Sequence, residues 1–452
     1  MEQAFLLFIF SGGEMMNSTY KLHLLLEAIA VGIGAGIIVS IFRYALEMAN
    51  FLRLNVRDFL ALCYLQNDFL TLMLAAMGIL ILLAIIACVL AKLNRYEPMA
   101  AGGGIPQVKG VLMGEMKMRP WRVLIVKLVG ATLGLSAGLS LGRQGPSVQF
   151  GACIGMGLGE KLNRPIAETH ALMNAGAGAA LAAAFNAPLA GVMFALEELA
   201  HNFSGMLLLV SFTAAVNAAV VSEIVFGASP IFAIGELPLM PLGSGCLLWT
   251  SLGIFSGFLG LLFNLMLPHM QSLYAHLIRR GVPYGLCIFG VLAIAFILLF
   301  FCPAVIGGGD FLVNYVLSSN LPLKILIILL LAKFIFTGLC FGTGAPGGLF
   351  LPMMSLGALS GGIFAEILGA AGLLPLEFIT SCIVFGMAGY FTAVTKAPVS
   401  SVILIVELTE SLDHLLPLLI VTLTAFFVSD MLGGKPIYER LLAGGLKRAH
   451  KI

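Results

Sequence analysis

The sequence predicts an all-α polytopic membrane protein made of two duplicated halves. Three observations carry this reading: the composition, the lengths of the apolar stretches, and a self-similarity between the two halves. The chain has 452 residues, of which 60% are hydrophobic and 10% charged, where a soluble domain has about 45–50% apolar and about 25% charged residues. With a mean hydropathy of +1.06 there is too little polar side chain to cover a water-facing surface, so lipid must solvate most of the molecule. The 53 glycines point to close helix packing and interrupted helices, because greasy spans alone would use Leu and Ala.

Long apolar stretches fall near 22–48, 69–93, 121–141, 206–226, 245–275, 284–302, 323–341 and 414–432. Shorter ones lie near 148–160, 170–185, 188–200, 349–371, 378–394 and 398–409. Several of the second group are too short or too broken by Gly and Pro to cross about 30 Å of hydrocarbon as one straight helix. Tilted, re-entrant and half-length helices are expected there. Basic residues cluster at Lys92, Arg95, Lys109, Lys117, Arg119 and Arg122, and again at Arg440, Lys447, Arg448 and Lys451, which places both regions and both termini in the cytoplasm by the positive-inside rule.

Sliding the chain against itself exposes the duplication. Gly142, Pro146, Gly151 and Gly155 share their spacing with Gly348, Pro352, Gly357 and Gly361, and Lys127 falls on Lys333 at the same shift of 206. Ala187, Pro188, Val192 and Glu197 repeat as Ala397, Pro398, Val402 and Glu407 at a shift of 210, with Gly176 on Gly386. The division expected is an N-terminal segment 1–20, a first membrane repeat 21–226 and a second repeat 227–452, with no hydrophilic stretch after 435 long enough for a regulatory domain. Paired interrupted helices in two repeats are the best sequence pointer to a transport site.

Other global features exclude functions. A net charge of +2 argues against nucleic acid as a partner. The eight cysteines form no CxxC pair and read as small packing residues, so no metal site or cofactor is expected. The short run Ala4 to Phe10 has no basic flank, so a cleaved signal peptide is not expected. An intramembrane serine hydrolase is weighed because Gly134 to Gly138 and Gly138 to Gly142 both satisfy GxSxG around Ser136 and Ser140. That pattern needs a strand-turn-helix setting and a base, whereas both copies lie in an apolar helical run better explained by small-residue packing. The protein is read as no enzyme.

Chemistry concentrates in three glycine-proline clusters: Gly102 to Pro106, Gly142 to Pro146 and Gly347 to Pro352. Glycine permits unusual backbone and proline suits a first helical turn, so each cluster reads as a helix N-terminus. Unpaired N–H groups and the positive dipole end make such a terminus an anion site. If the three converge, they replace the hydration shell of an anion, and Arg143 adds positive potential.

These segments resemble those of the CLC chloride channels and chloride/proton antiporters, in the prokaryotic type without C-terminal CBS domains. GGGIP at 102–106 stands for the family's GSGIP, GRQGP at 142–146 for GREGP, GGLFLP at 347–352 for GGxFxP, and GGKPIY at 433–438 for the C-terminal tyrosine segment; FNAPLAG at 185–191 also matches. The resemblance runs from about residue 20 to the end. It implies two inverted-topology repeats, a homodimer with one anion pathway per subunit, and a multi-pass location in a bacterial inner membrane. It also implies a central anion site made by the N–H groups of Leu349 and Phe350 with the hydroxyl of Tyr438, and an outer site at the N–H groups of Arg143, Gln144 and Gly145.

Two departures from the family pattern matter most. Gln144 replaces the gating glutamate; it is nearly isosteric with protonated glutamate but cannot titrate. Proton-coupled exchange is therefore expected to be absent, leaving passive movement of chloride or a similar small monovalent anion. Gly103 replaces a serine, which removes a donor and widens the inner mouth, so preference over nitrate, bromide or fluoride cannot be assumed. The alternative is an anion/proton antiporter using another carboxylate such as Glu198, which aligns with the family's inner proton glutamate. Lys127 lies deep in an apolar run, where it either raises the potential along the path or pairs with a buried glutamate. Glu27, Glu407 and Lys333 are similar charges with no assigned role, and His170, His201 and His414 read as interfacial.

Overall fold

The computed structural model describes residues 18–228, 242–410 and 412–449, with scattered positions between 229 and 241. The expected N-terminal segment 1–20 thus lies almost wholly outside the described residues. Among the described residues the regular structure is helical, apart from one isolated bridge between Gly142 and Gly348. The first half contains α1 (Ser18–Leu65), α2 (Phe69–Tyr96), α3 (Ile105–Leu112), α4 (Pro120–Ser136), α5 (Gln144–Lys161), α6 (Ile166–Phe185), α7 (Pro188–Phe194, continued by a π turn Ala195–Ala200) and α8 (Gly205–Phe226). The second contains α9 (Leu242–Arg279), α10 (Tyr284–Phe301), α11 (Asp310–Ser318), α12 (Leu323–Gly342), α13 (Phe350–Ala370), α14 (Ile379–Thr395), α15 (Pro398–Thr409), α16 (Leu415–Met431) and α17 (Ile437–Ala449).

Nine helices among the described residues are long and apolar enough to cross a bilayer. They differ in how they do so. With 48 residues, α1 is about 72 Å long at 1.5 Å per residue, so it must tilt or extend well beyond about 30 Å of hydrocarbon. The 12 residues of α15 reach only about 18 Å, so it cannot span alone. Between these extremes sits the glycine-rich core of each half, where α5 packs on α6 and α13 on α14. A Cβ on Gly155 would meet the backbone of Leu172 and Met173, and one on the repeat-equivalent Gly361 the backbone of Cys382 and Ile383. Backbones approach this closely only where the side chain is hydrogen.

The repeat extends further than the sequence comparison found. Lys127 is fully buried and its Nζ donates to the Gly102 carbonyl at 2.5 Å, while the equivalent Lys333, equally buried, donates to the carbonyls of Val305 at 3.0 Å and Gly307 at 2.9 Å. Each lysine ties down a triple-glycine loop, 102–104 or 307–309, that starts a short helix, α3 or α11. Neither lysine takes the buried glutamate partner weighed above for Lys127. Backbone carbonyls satisfy them instead.

A second reciprocity links the halves through carboxylates. Glu197 in the π turn accepts from the N–H groups of Val399 at 3.2 Å and Ser400 at 2.6 Å, at the start of α15. Glu407 of α15 accepts from the N–H groups of Leu189 at 2.9 Å and Ala190 at 2.7 Å, at the start of α7. Each glutamate thus fills the helix start of the opposite half with its own negative charge. Glu27 also gains a role, as the ion-pair partner of Arg164. His414 caps the start of α16 and is buried against Phe385, with ring centroids 5.7 Å apart. All eight cysteines are free, and five of them are buried.

Candidate anion site

The three glycine-proline clusters do start helices, at Ile105, Gln144 and Phe350, and they meet. Gly102 N–H donates to the Gly344 carbonyl at 3.0 Å and Gly347 N–H returns to the Gly102 carbonyl at 3.0 Å. Gly142 and Gly348 exchange a pair of hydrogen bonds at 2.6 and 2.8 Å. A Cβ on Gly348 would come within 2.7 Å of the Gly145 nitrogen, and one on Gly104 within 2.9 Å of the Gly145 carbonyl oxygen. The loops before α3, α5 and α13 are therefore one knot of backbone. From it the first N–H groups of α5 and α13 emerge without intrahelical acceptors, as at any helix start.

Leu349 and Phe350 are buried at the head of α13. The Phe350 ring is held by Phe391, Phe185 and Phe194, at centroid distances of 4.4, 5.3 and 5.9 Å. This aromatic cage fixes the backbone that would face an anion. Gln144 is fully buried at the head of α5, and neither its Oε1 nor its Nε2 has a hydrogen-bond partner. An unsatisfied buried amide is costly, and its two N–H bonds are suited to donate to an anion. Gly103 is buried with ordinary space around it: a Cβ would lie 3.7 Å from the Phe341 ring and 3.9 Å from Pro106.

Tyr438 enters at the inner flank from α17, which packs on α3. Its hydroxyl is buried without a partner. Burial, followed by the Glu198 carboxylate, pushes this phenol well above its ordinary value, so it remains a neutral donor. Arg143 lies beside the knot and its Nε also has no partner.

Glu198 sits nearby but in company the sequence did not reveal. It is buried in the π turn, and Lys109 of α3 approaches it at 3.3 Å. Lys109 is itself buried and also reaches Glu439 at 3.1 Å; His201 lies 3.5 Å from the same Glu439 oxygen. Burial first, then Lys109, lowers the His201 imidazole from its ordinary value, so it is neutral near pH 7. The sequence counted Lys109 only as one of a basic cluster. Its partner is 89 positions away, and no spacing pattern signals the pair.

Neither GxSxG serine lies in the strand-turn-helix setting that the motif needs. Ser136 closes α4, and Ser140 lies beyond its end, in the turn before α5 and not in a helix as expected; its hydroxyl meets Thr337 Oγ1 at 2.8 Å. Among the described residues no group of three or more His, Cys, Asp or Glu could hold a metal ion.

Converging helix starts in a multi-pass helical fold define an anion transport protein of the membrane. Residues 82–430 match the family described as voltage gated chloride channel, and the chain belongs to that family, the CLC proteins. It is 35% identical over 433 residues to the H(+)/Cl(-) exchange transporter ClcA of Vibrio cholerae serotype O1 strain ATCC 39541, covering 93% of this chain and 89% of the relative. To the transporter of the same name from Cronobacter sakazakii it is 36% identical over 377 residues, covering 81% and 79%. Among solved structures it is similar to a slow cyanobacterial Cl-/H+ antiporter, with a TM-score of 0.85, 30% identity and coverage of 94% and 98%. A CLC-type fluoride/proton antiporter shares the fold at a TM-score of 0.74 and 23% identity, covering 94% of this chain and 98% of its own.

Proposed function

We propose that this CLC protein moves chloride or a similar small monovalent anion passively, without coupling to protons. The observation that carries the reading is the buried, unpartnered amide of Gln144 at the start of α5. An amide there donates to an anion at every pH and never competes with it as a carboxylate would. The anion would rest on the N–H groups of Leu349 and Phe350 and the Tyr438 hydroxyl, with an outer position at the N–H groups of Arg143, Gln144 and Gly145. Gly103 leaves the inner mouth open. Glu198 does not support this reading: burial raises its carboxyl to about 8 despite Lys109 at 3.3 Å, so it can take up a proton near neutral pH.

The reading includes a homodimer in a bacterial inner membrane, with one pathway in each subunit and repeats 21–226 and 227–452. The end of α8 at Phe226 fits that division. A second reading, anion/proton exchange through another carboxylate, is favoured by the exchange transporters to which the chain is 35% identical; Glu198 is its buried candidate. Sealed proteoliposomes separate the two. Chloride efflux with no linked proton movement is expected, and uphill proton movement driven by a chloride gradient would establish exchange instead.

A further inference from the structure

On the basic face of the molecule, the exposed apolar stripes of α2 and α4 both run into cations. Along α2 the exposed positions Ile81, Ile85 and Cys88 are followed by Lys92 and Arg95, in steps of three and four that keep all five on one side of the helix. Along α4 the exposed Trp121, Ile125 and Val129 make a second stripe, with Arg119 just before its head. The backbone is extended at Arg119, so Lys117 and Arg119 share one side of the segment and Met118 takes the other. Met118 is buried, its Sδ 3.8 Å from Cys153 Sγ. Two pairs of exposed cations result.

Arg122 locks the ends of the two stripes together. It pairs with Glu97 at 3.1 Å, donates to the Tyr96 carbonyl at 2.6 Å and lies 3.8 Å over the Tyr96 ring. The side chains of Lys92, Arg95, Lys117 and Arg119 have no hydrogen-bond or ion-pair partner among the described residues. Of the carboxylates on these segments, Glu97 is taken by Arg122, Glu160 at the end of α5 is offset by the adjacent Lys161, and the exposed Glu115 remains. Positive charge therefore prevails. Trp121 marks the depth: its indole edge rests on Gly157 of α5, where a Cβ would come within 2.6 Å of it, and an exposed indole is favoured at the level of lipid headgroups.

A soluble anion would meet the cations alone, whereas an anionic phospholipid meets the cations and the apolar stripes at once. Two separate cation pairs match two phosphates. We propose that the junction of α2 and α4 holds a phospholipid with two phosphates, one against Lys92 and Arg95 and the other against Lys117 and Arg119, its acyl chains lying along the two stripes. The site is independent of how the protein moves anions.

Trp121 is a built-in reporter, since the other tryptophan, Trp249, is buried against Phe385 at a centroid distance of 4.7 Å. Purified full-length protein in detergent micelles is titrated with cardiolipin, which carries two phosphates, or with phosphatidylcholine, both brominated in their acyl chains, and tryptophan emission is followed. Cardiolipin should reach half-maximal quenching at a mole fraction at least about twentyfold lower than phosphatidylcholine, and each of the double variants Lys92→Gln with Arg95→Gln and Lys117→Gln with Arg119→Gln should cut that preference at least about fivefold. Removing the exposed pair at the end of α9, by Arg279→Gln with Arg280→Gln, should leave it unchanged. A thermal melt checks that each variant is folded. Equal quenching by the two lipids, a preference retained in both site variants, or one lowered as much by the α9 pair overturns the site. Brominated phosphatidylglycerol that matches cardiolipin at equal phosphate overturns the two-phosphate arrangement. Inorganic phosphate that abolishes cardiolipin quenching at constant ionic strength assigns the cations to a soluble anion and overturns the lipid.

Discussion

Gly142 and Gly348, equivalent positions of the two repeats, donate their N–H groups to each other's carbonyls at 2.6 and 2.8 Å. This contact brings the starts of α5 and α13 side by side, so both positive helix ends serve one place. It tolerates no side chain, since a Cβ on Gly348 would lie 2.7 Å from the Gly145 nitrogen and 2.9 Å from its Cα. Gly348→Ala should therefore cost about 1–3 kcal/mol by overpacking and separate the two helix starts. A lowered melting temperature in detergent together with lost anion flux is the expected result, and native flux would show that the knot is not the pathway.

If the native flux is passive as proposed, Gln144→Glu should introduce a new pH dependence. Glutamate ordinarily titrates near about 4.3; its ionised form competes with an anion at the helix starts, and its protonated form resembles the native amide. Flux through the variant is expected to rise as pH falls. A pH-independent flux in this variant would mean that position 144 does not face the permeating anion.

Lys109 and Glu198 make a sharp pairwise test. Lys109→Met removes the counterion of the buried Glu198 and should destabilise by up to about 3–5 kcal/mol at high pH and by less near neutral pH, where burial, which already raises Glu198 to about 8, lets it take up a proton. Adding Glu198→Gln should recover most of the loss seen at high pH, because no uncompensated charge is then left. Additive losses in a double-mutant cycle of thermal or denaturant stability would dismiss the pair as an energetic unit.

Gly103→Ser should fold with little change, about 0.5 kcal/mol or less, since the nearest heavy atom to the new Cβ is 3.7 Å away. The added hydroxyl supplies a donor at the inner mouth. Competition assays with nitrate, bromide and fluoride against chloride should show altered relative permeation. Identical selectivity would place Gly103 away from the anion.

The helical skeleton was legible because proline and glycine punctuate it: Pro188 and Pro398 open α7 and α15, and the three clusters open α3, α5 and α13. The duplication was legible through Lys127 and Lys333, yet their task was not, because carbonyls of Gly102 and Gly307 leave no mark in side-chain chemistry. Glu197 and Glu407 were matched by spacing without a role, since their partners are backbone N–H groups in the opposite half. The pairing of Lys109 was hidden for a related reason. Only the tertiary placement of α3 against the π turn supplies the carboxylate that accompanies its burial.

The exchange of carboxylates between Glu197 and Glu407 makes each half chemically incomplete. A first half produced alone would keep a glutamate with nothing to receive and expose the head of α7 to lipid or water, and the second half would suffer the mirror deficit at α15. A single half could satisfy both sites only by meeting a second copy face to face. In the present chain the exchange acts as an internal lock between the halves, one that separated fragments would regain only by assembling.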